Sequence, residues 1–222
     1  MQIYFVRHGR TQFNLEHRFQ GGRSDSPLLP DGIVDAQAAG KYLADTRFAK
    51  VYSSPQKRAM DTAKYVVAAN QWQPEITVEP GFKEFDFGTW DGQAENEVQP
   101  RSYAQVLLKQ PGKYDPSQAG GGESYAAFVA RTTAAVRKIV AAAGTDNPLP
   151  LLVVAHGLVT TMTVKTLLGV PVAQLRDPFY MNGQLMKTIG NGIVDNGSVT
   201  VIETTDNEHF SLKKWNETSF LK

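Results

Sequence analysis

Two short stretches, VRHG at residues 6–9 and VAHG at residues 154–157, each run from apolar residues into a histidine followed by a glycine. Arg7 stands beside the first histidine, His8, and a second arginine, Arg58, lies in SSPQKRAMDTA shortly after the apolar pair Val51–Tyr52. Two of the chain's 4 histidines and two arginines therefore fall at equivalent points, just past apolar runs. A guanidinium offers a fixed fork of donors and a permanent charge, which suits an oxyanion, and an imidazole can accept or donate near neutral pH. The stretch EPGFKEFDFGTWDG adds carboxyls at Glu84, Asp86 and Asp91 among Phe82, Phe85, Phe87 and Trp90. An apolar wall of that kind raises a carboxyl pKa, as an acid catalyst needs, which leaves Glu84 and Asp86 both as candidates for that role. Gly9 and Gly157 are read as letting backbone approach an anion closely, and a helix opening after Gly157 as aiming its amide dipoles at it.

These residues can meet only if the chain brings the ends of its apolar runs to one rim. Ile3–Val6, Val51–Tyr52, Ile76–Val78, Leu151–Ala155 and Val199–Ile202 have the length and composition of strands buried on both faces. Helical patterns separate them: one capped by Asp31 and running to about Thr46, one with Pro55 in its first turn and Ala59, Ala63, Val66 and Val67 on one side, one from near Ser124 to about Ala143, and one after Gly157. Strands alternating with helices predict an α/β fold, a three-layer α/β/α sandwich with a largely parallel or mixed sheet. Ligands of such sheets bind beyond the carboxyl ends of the strands. Residues 92–122, polar and rich in Gln, Pro and Gly around a helical piece near Ser102–Lys109, form an inserted, lid-like excursion over one edge.

At 222 residues, with 41% hydrophobic and 20% charged, the chain is expected to form one domain over 1–222 with the excursion at about 92–122. Lys+Arg 23 against Asp+Glu 22 leaves a net charge of +1, so no broad basic field exists for nucleic acid or an anionic membrane, and any anion site must be local. The absence of cysteine excludes thiolate catalysis and Cys-based zinc sites and fits the cytoplasm. No apolar run approaches membrane-spanning length, and the N-terminus enters a strand pattern directly, so a soluble cytoplasmic protein is expected. Oligomeric state is not legible.

RHG with Thr two residues on, SSPQKRAMDTA, KEFDFGTWDG, GGES and VAHG together resemble the histidine phosphatase superfamily, the phosphoglycerate mutase-like enzymes, from Met1 to about Ile202 and in the family's order. The resemblance implies that His8 is the nucleophile that becomes phosphohistidine, that Arg7, Arg58 and His156 clamp the phosphate, and that Glu84 is the general acid. Asn14 matches a polar position that helps bind the phosphoryl group, with Gln20 and Gly157 as further substrate contacts. Phosphoryl transfer asks a protein mainly for positioning and charge stabilisation, which explains these residue types without the family name. Two guanidinium groups hold His8 neutral for attack, whereas an incoming phosphate pulls His156 toward its charged donor form. No cofactor and no metal are implied, since two arginines repel a divalent cation.

The function expected is a phosphomonoesterase acting on a small phosphorylated metabolite. The alternatives are a 2,3-bisphosphoglycerate-dependent phosphoglycerate mutase and, in another class, an inactive module that binds phosphorylated ligands. Mutases of this family resemble one another in a tyrosine- and leucine-rich stretch after the glutamate and in paired arginines farther on. Here EFDFGTWDGQAENEV looks more like the phosphatase branch, and the excursion offers a lone Arg101 followed by Lys109 and Lys113. Arg10, Arg18 and Arg23 can steer an anion or be solvated loop charges, Tyr103 is a possible contact, Glu123 helps start a helix, and His17 and His209 are surface or packing residues.

Overall fold

Four strands, β1 (Gln2–Arg7), β2 (Lys50–Ser53), β3 (Ile76–Val78) and β4 (Leu151–Ala155), run parallel in the order β3-β2-β4-β1. Their side chains alternate between two apolar layers: Ile3, Phe5, Leu151, Val153 and Ala155 belong to one, and Val6, Val51, Leu152 and Val154 to the other. Apolar residues on both faces keep polar groups out until each strand ends, so the first charged or hydrogen-bonding side chains appear together at the carboxyl rim. The computed structural model describes residues 1–222 apart from Gln99, Arg101, 189–191 and Lys222, with the side chain of Ser102 also outside the description.

A separate hairpin pairs β5 (Tyr180–Met181) with β6 (Gln184–Leu185) through Asn182 and Gly183, both in the left-handed region. β7 (Val199–Thr204) and β8 (Phe210–Glu217) then extend the main sheet antiparallel beyond β1, which makes it mixed. β8 escaped the sequence reading because KKWNE on an edge strand is half solvated and shows no continuous apolar run.

Seven α-helices lie among the described residues, with short 3-10 turns besides: α1 (Gln12–Leu15), α2 (Pro30–Tyr42), α3 (Lys57–Ala68), α4 (Glu95–Val98), α5 (Ser102–Lys109), α6 (Tyr125–Ala143) and α7 (Gly157–Leu167). α2 and α3 cover one face through Ala39, Leu43, Ala63 and Val66, and α6 and α7 cover the other through Phe128, Val136, Ile139 and Met162, giving the expected three layers. Ser124 caps α6, its hydroxyl accepting from the Ala127 N–H at 3.2 Å.

Two other starts differ from the sequence reading. α2 begins at Pro30 and ends at Tyr42, and Asp31 accepts from the Gly32 N–H and pairs with Arg10 instead of capping. α3 begins at Lys57, two residues after Pro55, where the Asp25 carboxylate accepts the Lys57 N–H at 2.6 Å. A carboxylate from a distant loop thus supplies the cap that no local residue provides.

The segment after β3 is built inward. Phe85 is fully buried and touches the rings of Phe87, Tyr114, Tyr125 and Phe128. Within 92–122, Val98, Ala104, Leu107, Tyr114 and Ala119 are buried in the same layer as α6 and α7. These five anchors turn a segment that is polar on average into a wall.

Candidate active site

β1 and β4 are neighbours in register, Arg7 opposite Ala155, so His8 and His156 leave the sheet side by side. Their rings lie 5.3 Å apart, edge to face, and both are buried. His8 Nδ1–H donates to the Gly9 carbonyl at 2.8 Å. A carbonyl only accepts, so the proton is on Nδ1 and Nε2 keeps its lone pair. Burial, then Arg58 and Arg7, push the His8 pKa well below the usual 6.5. His156 Nε2 shares a 2.7 Å hydrogen bond with the Ser54 hydroxyl, and burial, Arg58, His8 and Arg7 hold it neutral in the protein alone. The charged donor form expected of His156 therefore depends on an anion's own field.

Arg58, 1% exposed, sits in the first turn of α3 and uses both terminal nitrogens on the loop after β1: the carbonyls of Ser24, Gln20 and Gly21 and the Asp25 carboxylate at 3.0 Å. Arg7 donates from one terminal nitrogen to the Val194 carbonyl at 2.6 Å, and burial brings its pKa down to about 10. Arg7 Nε, Arg58 Nε and His156 Nδ1 are buried and have no hydrogen-bond partner. Guanidinium donors are expensive to leave unmet, and two of them with an unpartnered imidazole nitrogen beside His8 describe a receptor for oxygens.

Glu84 is 6% exposed, with Oε1 accepting from the Phe85 N–H at 2.8 Å and Oε2 from the Leu158 N–H of α7 at 3.2 Å. Burial raises its pKa against those two hydrogen bonds and the charges of Arg58 and Arg7. Asp86 is instead paired with Arg23 at 2.7 Å and bonded to the Gly88 N–H. Asp91 ties down the N–H groups of Gly21 and Arg23 and the Ser24 hydroxyl.

Asn14 Oδ1 accepts from the Thr11 N–H, the Thr11 hydroxyl and Asn196, which turns its amide donor the other way. A cavity of about 150 Å³ joins Arg7, His8, Asn14, Gln20, Glu84 and Gly157. Phe19, Phe87, Leu108, Leu158 and Ile193 give it apolar walls, and Arg18, Glu95 and Arg176 add charge. Among the described residues, no three of His, Asp and Glu stand together as metal ligands.

The glycines serve a purpose the sequence reading missed. A Cβ on Gly9 would fall 2.1 Å from the Gly32 carbonyl oxygen, so Gly9 lets the loop seat against the start of α2. A Cβ on Gly157 would lie 2.6 Å from Ile193 Cγ2 and 3.2 Å from the Arg7 guanidinium, so Gly157 makes room for Arg7. Gln56 was also missed. It is buried, donates to the Gly21 and Ser24 carbonyls and accepts the Glu84 N–H at 2.8 Å. A polar residue inside SSPQKRAMDTA was the available signal.

Of the other residues singled out, Arg10 and Arg23 are held by Asp31 and Asp86, and Glu123 pairs with Arg131. Tyr103 stacks on Tyr114, and His209 pairs with Asp206 at the surface. Arg101 lies outside the described residues.

The family model for the histidine phosphatase superfamily (branch 1) matches residues 3–218. The chain belongs to this superfamily. Fructose-2,6-bisphosphatase TIGAR of Xenopus laevis is 36% identical over 125 residues, 55% of this chain, and the match spans only 43% of that protein's length. Glucosyl-3-phosphoglycerate phosphatase of Mycolicibacterium vanbaalenii is 31% identical over 178 residues, 77% of this chain and 76% of that protein. Probable phosphoglycerate mutase GpmB of Proteus mirabilis is 27% identical over 209 residues, 86% and 93% of the two chains. Among solved structures, Bacillus stearothermophilus YhfR superposes with a TM-score of 0.83 at 28% identity, covering 100% of this chain and 99% of that one.

Proposed function

We propose that this histidine phosphatase superfamily member hydrolyses small phosphomonoesters through a phosphohistidine at His8. The observation that carries the reading is the neutral, Nε2-unprotonated His8 beside two buried guanidinium donors and a His156 ring nitrogen, all three without partners. His8 Nε2 attacks phosphorus while the ester P–O bond breaks, and the Glu84 proton passes to the leaving oxygen, releasing an alcohol. Arg7, Arg58, His156 and the Asn14 amide hold the three equatorial oxygens. The Glu84 carboxylate then takes a proton from water as that water attacks phosphorus, the P–N bond breaks, and phosphate leaves with His8 neutral again. Gln20, whose amide is engaged by Thr11 and Ser26, shapes the cavity wall, and segment 92–122 contributes Glu95 and Leu108 to its mouth as a cover. Action in the cytoplasm on a small metabolite belongs to the same proposal. Among the described residues, no helix is long and apolar enough to cross a membrane.

The test is to quench turnover of a 32P-labelled phosphomonoester. A protein-bound label that is acid-labile and base-stable, and absent in His8→Ala, is expected. Label retained in His8→Ala would reject the assignment. A mutase reading is kept because cations that suit a sugar-acid carboxylate, Arg18 and Arg176, line the cavity. Isomerisation of 3-phosphoglycerate that requires 2,3-bisphosphoglycerate and outruns phosphate release from every monoester would favour it.

A further inference from the structure

Arg176 lies far in sequence from every motif above, on the turn between the short 3-10 helix Val172–Gln174 and the β5–β6 hairpin, yet it lines the cavity that holds His8 and Glu84. Two independent anchors fix it there. Its Nε donates at 2.7 Å to the hydroxyl of Tyr125, a buried side chain that itself donates to the Leu107 carbonyl at 2.9 Å. The turn on either side is held by Lys165, 2% exposed, whose ammonium donates to the Leu175 and Asp177 carbonyls at 2.8 Å each. A fully buried lysine bonded to two neutral carbonyls carries a desolvation cost, and here its bonds bracket a single residue, Arg176.

What Arg176 does not touch is equally specific. Its terminal nitrogens make no hydrogen bond, and no carboxylate pairs with it, among the described residues. The other cation on that wall, Arg18, is already paired with Glu16 at 2.6 Å and bonded to the Gly92 carbonyl. A guanidinium whose side nitrogen is locked and whose fork is free is preorganised for a planar or tetrahedral oxyanion, because little freedom remains to be lost on binding.

We propose that Arg176, positioned by Tyr125 and Lys165, is a second-anion subsite that selects phosphomonoesters bearing a further carboxylate or phosphate on the leaving group. This deepens the phosphatase reading and rests on it for the placement of the reacting phosphate beside His8. The apolar remainder of the cavity, Phe19, Phe87 and Leu108, packs the carbon skeleton between the two charged ends. Selectivity follows because a ligand without the second anion leaves a partly desolvated guanidinium unmet.

The experiment measures binding and turnover separately. In His8→Ala protein, which removes the attacking nitrogen, calorimetry compares 3-phosphoglycerate with glycerol 3-phosphate, and fructose 2,6-bisphosphate with fructose 6-phosphate. Within at least one pair the ligand with the second anion should bind about 10- to 100-fold tighter, the range of one charge-assisted interaction, and the pair that shows it says whether carboxylate or phosphate is read. Adding Arg176→Ala should abolish that preference, and Arg176→Lys should restore part of it. Arg176→Gln, which keeps a donor for Tyr125, should still lack the preference and guards against a folding artefact. Equal affinities within both pairs, or a preference that survives Arg176→Ala and Arg176→Gln, overturns the subsite. Wild-type protein that binds with the preference but releases no phosphate would support the subsite and defeat the phosphatase reading instead.

Discussion

His8 and Glu84 share a buried pocket, and burial moves their pKa values in opposite senses: the imidazole goes down and the carboxyl goes up. Both shifts favour the neutral forms that attack and proton donation require. For an ester with a poor leaving group, kcat/KM should therefore be bell-shaped, its acid limb, where His8 gains a proton, displaced to well below the usual imidazole range, and its alkaline limb, where Glu84 loses one, displaced upward from the usual carboxyl range. Glu84→Gln should slow such esters by about 10²–10⁴-fold, flatten the alkaline limb and spare an activated aryl phosphate, whose leaving oxygen needs no proton. An equal loss on both esters would mean that Glu84 acts through its bonds to Phe85 and Leu158. Asp86→Asn should leave the alkaline limb in place, because Asp86 is committed to Arg23.

Elements meet at Gln56, in the loop before α3. Its amide joins the loop after β1, which Arg58 also holds, to the backbone of Glu84, so one side chain couples the anion clamp to the proton donor. Gln56→Leu keeps the volume and leaves the Glu84 N–H without a partner, while the Gly21 and Ser24 carbonyls keep only their bonds from Arg58. It should cost about 1–3 kcal/mol in chemical denaturation. It should also lower kcat on poor leaving groups more than on activated ones, a difference that loss of stability alone would not produce. α7 acts on the same carboxyl from the other side, since its second residue, Leu158, donates to Glu84. Segment 92–122 joins this framework through buried apolar residues, so its average polarity concealed a packed element.

For the whole molecule, two buried neutral histidines make stability depend on pH. Their folded pKa values lie below the unfolded 6.5, so between those values the unfolded state binds more protons and stability falls as pH drops. Above 6.5 the two contribute no slope. Tm should decline below about pH 6.5, and sulfate, a tetrahedral dianion throughout this range, should oppose the decline. Its protection should grow as pH falls, because the anion's field favours proton uptake by His156, and it should shrink in His156→Ala. Scanning calorimetry at several pH values, with sodium chloride at matched ionic strength as reference, measures this. Protection by sulfate that is independent of pH would place proton uptake outside the anion site.

The local order of the chain determined much of this protein. Each apolar run stops at a residue with chemistry, and in a parallel sheet buried on both faces those stops share one edge, so Arg7, His8, Arg58 and His156 could be named before any contact was known. Glu84 could be separated from Asp86 and Asp91 only by its position in the family's pattern, since the aromatic residues flank Asp86 as closely. Tertiary structure alone decided which polar groups already had partners. Arg58 spends its fork on loop carbonyls, Asp86 is absorbed by Arg23, Gly9 answers to Gly32, and Asn14 has its oxygen taken by Thr11 and Asn196. Arg176 enters the cavity from a turn without a motif. A residue type states what a group is able to bind, whereas long-range packing assigns the partners it has, and only donors left unpaired after that assignment remain for a ligand.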